Sequence, residues 1–342
     1  MKRLLPLLLL LSWALAQGLP LRVLLREFPL GQAFRLDLPE GRAFARGTEE
    51  GVVVDGRHYA TFAHPGPTFA LEGVPYRGGV LLLIQGARVL AVNVVDLEDY
   101  LLGVLPAEMP PSFPLEALKA QAVLARTFAV NRLSPSAPYD LCATEACQVY
   151  RGLAVETPRH KEAVFATRGL VVSYGGKAIS ALYHADSGGM TAGSEEVFQK
   201  ALPYLRPRQD PFSEGPRSRW TVDLTPERVA AALRAYGFSP RSEEPPEVLA
   251  RTPSGRVGGL SAMGVVVEGP LAQKVVRAMG LPSAMVAFEG WRAVGRGAGH
   301  GVGLSQWGAK GMAERGFEFR EILGHYFPGT FLSDLVVRAA LP

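Results

Sequence analysis

The run Val104-Leu105-Pro106-Ala107-Glu108-Met109-Pro110-Pro111-Ser112-Phe113-Pro114 leads directly into Leu115-Glu116-Ala117-Leu118-Lys119-Ala120-Gln121-Ala122. Four prolines forbid a regular helix across the first part. Each lacks an amide N–H and restrains its predecessor, so the stretch reads as a rigid loop carrying Glu108. Pro114 then opens a helix reaching about Arg132, because the residues after it are nearly all strong helix formers. Leu118, Ala122, Ala125 and Ala129 recur at helical spacing and give it a small-residue buried stripe. Upstream, Asp96 suits the N-cap of a short helix over 96–102. From Leu19 to about Asn93, short apolar runs at 21–25, 52–54 and 80–84 alternate with Gly and Pro, the pattern of strands. Downstream, helices are predicted at 159–167, 225–236, 271–279 and 306–315, and strands at 170–173 and 179–183. The Pro-, Glu- and Arg-rich segment 239–252 reads as a linker. The fold class is therefore α+β: a β-rich region over 17–94, then a mixed α/β core over 95–342 with a long cleft.

Composition narrows the function classes. The 342 residues are 48% hydrophobic with a formal net charge of +4, which excludes a disordered chain. The 38 glycines have no three-residue period, and two cysteines cannot staple this length, so collagen and disulfide miniproteins are also excluded. Lys+Arg 36 and Asp+Glu 32 are interspersed, with no basic stripe for nucleic acid. Lys2 and Arg3, the apolar run 4–13 and Ala14-Leu15-Ala16 read as a signal peptide over 1–16. Its removal takes the charge from +4 to +2 by deleting two cations. No later segment is long and apolar enough to span a membrane. The mature chain is expected outside the cytoplasm.

Four constellations carry possible chemistry. Glu108 lies among Ala107, Met109 and Phe113. Desolvation there favours the protonated acid, as a general acid requires; a solvated or helix-capping carboxylate is the plainer alternative. Gly295-Arg296-Gly297-Ala298-Gly299-His300-Gly301-Val302-Gly303-Leu304-Ser305-Gln306-Trp307-Gly308 combines alternating glycines with a helix start. Such a loop lets backbone approach a ligand, or forms a tight structural turn around His300. It has neither dinucleotide-fold nor P-loop spacing. His184-Ala185-Asp186-Ser187 puts three triad residue types in a row, but triads are assembled from separate elements, so a serine hydrolase is disfavoured. Cys142 and Cys147 in an exported chain form a disulfide most simply; a zinc site needs two further ligands and is not favoured.

Taken in order, these segments resemble the sporulation stage II protein D family, also called SpoIID/LytB or amidase enhancer. The matching stretches are 105–110, 115–123 with Ala125-Arg126-Thr127, 142–150, 184–189, 254–257 and 295–309. The resemblance implies a lytic transglycosylase acting on peptidoglycan glycan strands stripped of peptides. It implies Glu108 as the catalytic glutamate and Arg126 as an important arginine, placed beside a muramyl carboxylate or the developing charge. It also implies a cleft lined by His184, Ser187, His300, Gln306 and Trp307. Some members bind zinc through the cysteines and a histidine; here no histidine falls between or just before them, so no cofactor is expected. The competing expectation is a non-catalytic wall-binding module that stimulates a separate amidase, with Trp307, Tyr183 and Tyr150 stacking on sugars. Glycan strands, and a cell-wall amidase, are the implied partners.

Overall fold

A computed structural model describes residues 18–335. The expected signal peptide, 1–16, lies outside the described residues. The fold is α+β, as the patterning predicts. Five strands form one sheet in the order Leu141–Cys142, Pro20–Pro29, Arg88–Asp96, Gly79–Gln85, Phe62–His64. Six form another, in the order Arg57–Tyr59, Gly51–Val54, Gly41–Thr48, Phe34–Leu38, Thr68–Leu71, Val74–Arg77. Alternate residues point inward, as along Gly41–Thr48, where Ala43 and Ala45 are buried between exposed neighbours. Val23, Phe34, Val52, Leu82 and Val89 join one core shared by both sheets and the helices beyond.

This region sets the position of two later elements. The strand Arg88–Asp96 runs straight into the helix Leu97–Glu108, and Asp96 caps it by accepting the Glu98 N–H at 2.9 Å. The short strand Leu141–Cys142 pairs parallel with Pro20–Pro29, Leu24 opposite Cys142. The cysteine loop is thereby stitched to the edge of the first sheet.

The first helix continues through Pro106 to Glu108, well past the expected end at 102. Pro106 cannot donate to the Leu102 carbonyl. Yet Leu101, Leu102, Val104 and Leu105 are all buried, and their packing outweighs one missing bond. The chain leaves the helix at Met109, in the extended conformation that Pro110 imposes on its predecessor. The helix Leu115–Asn131 matches expectation, but it is buried on every side rather than along one stripe. A helix apolar all round belongs at a domain centre. It packs against the helices Leu97–Glu108, Pro158–Ala166, Gln306–Glu314 and Phe319–Tyr326, and against the strand Leu170–Tyr174.

A second apolar cluster, including Leu224, Val229, Leu260, Val275 and Ala293, forms separately. Around it lie two three-stranded sheets and the helices Pro226–Arg234 and Gly269–Ala278. One sheet contains Trp220–Asp223, Arg292–Gly295 and Val286–Glu289; the other contains Glu247–Arg251, Val257–Ala262 and Val265–Glu268. The expected linker 239–252 therefore ends in a strand. Glu247–Arg251 is mostly exposed and shifts register twice, so no alternation announces it. The expected strand at 179–183 is reduced to Tyr183–His184, with Lys177–Ala178 before it. Among the described residues no helix is long and apolar enough to cross a membrane.

Gly103 faces Tyr150: a Cβ there would lie 2.5 Å from the Tyr150 ring. Tyr150 is itself tied to Asn93 by its hydroxyl at 3.0 Å. Gly→Ala inside a helix ordinarily gains about 1 kcal/mol. Here Gly103→Ala should instead lose about 1–3 kcal/mol by overpacking. A lower urea midpoint is the expected reading; a higher one would refute this packing.

Candidate active site

Glu108 ends its helix half-buried. One short pairing brings two other elements to it. Tyr183–His184 lies parallel to Leu304–Ser305, Tyr183 opposite Leu304 and His184 opposite Ser305. The helix Gln306–Glu314 starts at the next residue, with the Ser305 hydroxyl accepting the Gly308 N–H at 3.2 Å. Tyr183 and Gln306 are thereby brought to the Glu108 carboxyl, where hydrogen bonding from each acts to lower its pKa. Gln148, buried in the segment after the cysteines, extends the row. Its Nε2 donates to the Tyr183 oxygen at 3.3 Å, and its Oε1 accepts from the Tyr100 hydroxyl at 3.2 Å.

Burial pushes the Glu108 carboxyl above its ordinary range, because desolvation penalises the charged form. The hydrogen bonds from Tyr183 and Gln306 pull it partly back, and Glu145 on the cysteine loop pushes it further up. The carbonyl end of the helix acts in the same direction, since partial negative charge collects there. Tyr183 and Tyr100 are raised by burial and then by the Glu108 charge, so both remain donors at neutral pH. The proline loop beyond Glu108 does form a brace. Its Phe113 meets Trp307 edge to face at 5.1 Å, and Lys310 lies 5.5 Å from the Trp307 ring.

Arg126 occupies a different place from the one expected. It is fully buried, and its five N–H groups are all directed within the protein. Nε and Nη2 form a bidentate pair with Glu98 at 2.8 and 2.6 Å. The other bonds reach Val164 O at 3.2 Å, Leu170 O at 3.1 Å and Thr167 Oγ1 at 3.5 Å. Glu98 lies at the opposite end of the helix from Glu108, about 15 Å away along its axis. Arg126 therefore has no free donor for a sugar carboxylate; it aims the helix that carries Glu108.

The histidine and serine candidates are engaged in contacts within the protein. Ser187 is buried, its N–H directed at the Ser213 and Ser305 hydroxyls at 3.2 Å. Asp186 accepts from Gly188 N–H and from the Ser213 and Ser218 hydroxyls, which fixes the 213–218 loop. His184 Nδ1 donates to Val302 O at 3.2 Å, and His300 Nδ1 accepts the Val302 N–H at 3.0 Å. The two rings stand 5.7 Å apart. Burial, then His300 and Arg256, hold His184 well below the usual histidine range; burial, then Arg277 and Arg256, bring His300 down to about 4. Both rings are neutral at neutral pH. The alternating glycines do allow close approach, but to the 182–188 chain: a Cβ at Gly303 would fall 2.0 Å from the Leu182 carbonyl oxygen. Tyr150, expected to stack on sugars, is buried in the core.

Cys142 and Cys147 are joined as a disulfide, Cα atoms 5.5 Å apart. The sulfurs are bonded to each other, and among the described residues no group of three or more potential ligands converges there. These residues do not fit a zinc ion. Gln148 and Tyr100 join the site without having been expected there. Gln148 had a signal, since it follows Cys147 within a motif; Tyr100 gave none beyond an apolar helix face.

A family model described as stage II sporulation protein matches residues 85–174, a span holding Glu108, Arg126 and both cysteines. An uncharacterised protein of Brachyspira hyodysenteriae is 32% identical over 302 residues, covering 86% of this chain and 81% of its own length. Stage II sporulation protein D of Bacillus subtilis is 31% identical over 270 residues, 71% of this chain and 76% of that protein. A protein named amidase enhancer from Bacillus subtilis is 29% identical over 288 residues, 68% of this chain and 40% of that protein.

Arg126→Ala should lose about 3–5 kcal/mol in denaturant unfolding, because it strands a buried carboxylate. Unchanged stability would remove its clamping role. Glu108→Gln should shift stability the other way. The folded carboxyl keeps its proton to higher pH than the unfolded one, so wild-type stability falls as pH rises through the folded pKa. Glu108→Gln is therefore the more stable protein at pH 7, and the advantage vanishes below about pH 4.

Proposed function

The chain belongs to the stage II sporulation protein D (SpoIID/LytB) family, and on that premise we propose that it is an exported lytic transglycosylase of peptidoglycan. One arrangement supports this reading: the Glu108 carboxyl is half-buried at the end of its helix, and burial raises it while Tyr183 and Gln306 pull it partly back. Ordinary glycosidases need two carboxylates flanking the scissile bond. The acid that acts on Glu108 from nearby, Glu145, is exposed on the cysteine loop and acts through charge alone.

One carboxyl suffices when the substrate supplies its own nucleophile. Protonated Glu108 gives its proton to the glycosidic oxygen between a muramyl residue and the next glucosamine. As that C–O bond breaks, the carboxylate takes the proton of the muramyl C6 hydroxyl, and O6 closes on C1. The product is a 1,6-anhydro end, and Glu108 regains its proton without consuming water. Burial favours the protonated acid, and Tyr183 and Gln306 stabilise the carboxylate as it forms. The preference for peptide-free strands and the export of the chain are part of this proposal; the 1–16 pattern supports the latter.

A second reading is favoured by the similarity to the protein named amidase enhancer. In it the same face binds the strand without cutting it and presents it to an amidase.

Purified protein incubated with peptide-free glycan strands should yield anhydro-muramyl ends detectable by mass spectrometry. Glu108→Gln should lower that rate by about 10²–10⁴-fold. Equal activity in Glu108→Gln discards its role as the acid, whereas no anhydro ends alongside stimulation of an added amidase selects the second reading. The pH profile gives a further check. Activity of a general acid falls as pH rises through its pKa. Gln306→Ala removes a bond that lowers that pKa, so its alkaline limb should move to higher pH.

A further inference from the structure

We propose that the groove between the 188–189 turn and the second apolar lobe is an anionic-sugar subsite, in which Arg219 and Arg296 take a carboxylate borne by the glycan strand. This rests on the strand-binding reading and names what in the strand is recognised. The groove encloses about 870 Å³, lined by Gly188, Gly189, Arg219, Trp220, Arg251 and Arg296 among others, with no acidic residue in its wall. Small-ligand pockets occupy about 300–1,000 Å³, so the volume suits a sugar ring with its substituent.

The charges are uncompensated. Arg219 and Arg296 make no ion pair among the described residues. Arg251 is anchored instead to backbone, donating to Gly255 O at 2.8 Å and Val286 O at 3.1 Å, and adds a fixed positive charge. Guanidinium groups match carboxylates in planar two-point contacts, which a neutral sugar cannot repay. Trp220 supplies the apolar face. Its ring lies on Gly295, where a Cβ would come within 2.2 Å of it, and its Nε1 donates to Gly297 O at 2.8 Å. With one face against glycine and the indole N–H tied down, the ring is presented to the groove in one orientation.

The 188–189 wall of the groove is rigid. Gly188 takes φ +70°, and a Cβ there would meet the Arg296 backbone at 2.9 Å, so the turn and Arg296 are packed together. Buried Arg256 holds the same turn from below, donating to Ser187 O and Met190 O, each at 3.0 Å. Gly188, at the groove, lies five positions along the chain from Tyr183, at the Glu108 carboxyl. That chain length spans at most roughly 18 Å. A strand engaged at Glu108 can therefore place a neighbouring muramyl lactate in the groove. The carboxylate contact expected of Arg126 is available at Arg219 and Arg296, both exposed.

The test compares peptide-free strands with the same strands whose lactyl carboxyls have been reduced to alcohols. Binding is followed by tryptophan fluorescence, and thermal unfolding confirms that the variants fold. Wild type should bind the carboxylate strands about tenfold more tightly than the reduced ones, with the gap closing at high salt, since two exposed arginine contacts total on the order of 1.4 kcal/mol. The double variant Arg219→Gln/Arg296→Gln should lose that advantage and bind both strands as wild type binds the reduced one. A double variant that still discriminates, or that weakens both strands equally, overturns the proposal. Anhydro ends are counted on the same samples. Their absence in wild type sinks the cleavage reading alone, because discrimination between the two strands is read from binding.

Discussion

The buried pair between Arg126 and Glu98 is the constraint on which the active site depends. It couples the helix that ends in Glu108 to the central helix Leu115–Asn131, and through Val164, Thr167 and Leu170 to two elements beyond. A bidentate guanidinium–carboxylate contact fixes orientation as well as distance. The catalytic candidate thus projects from a rod fixed at its far end, while the Phe113–Trp307 contact braces the near end. An arginine deep in the core controls where an acid at the surface points.

The environment of Glu108 is a balance of opposed effects. Desolvation, the helix terminus and Glu145 favour the neutral acid, whereas Tyr183 and Gln306 favour the anion. The proposed role, giving up a proton and taking one back, needs both sides of that balance. Desolvation alone would leave a poor donor, and hydrogen bonds alone would leave a permanent carboxylate. The histidines, by contrast, are held neutral by burial and by arginine neighbours. They serve the seam between the glycine loop and the 182–188 chain.

Much of this architecture was legible because it depends on local pattern. Short apolar runs between Gly and Pro, the Asp96 cap and the all-helix-former run after Pro114 pointed to the β-rich region and the central helix. Glu108 stood out as one acid among apolar neighbours and prolines. The features that escaped the sequence depend on packing. Pro106 suggested a break, but buried leucines carry the helix past it. Glu247–Arg251 has no alternation because its face is exposed. Arg126 looked like a substrate ligand because residue type reveals charge but not the partner, and Glu98 lies far from it in sequence. Tyr183 reaches Glu108, and Gln148 reaches Tyr183, through pairings distant in sequence, the two-residue ladder at Leu304 and the edge strand at Cys142. Trp220 and the groove arginines belong to separate strands and loops and share no motif.

The parallel ladder between Tyr183–His184 and Leu304–Ser305 also has a bearing on biogenesis. Glu108 is synthesised well before the groups that tune it, Tyr183 and Gln306. Contacts so distant along the chain form late, after the loop between them has closed. A nascent or prematurely terminated product lacking Gln306 carries the acid without its tuning partners. Assembly of the candidate site is thereby coupled to synthesis of the chain through Gln306.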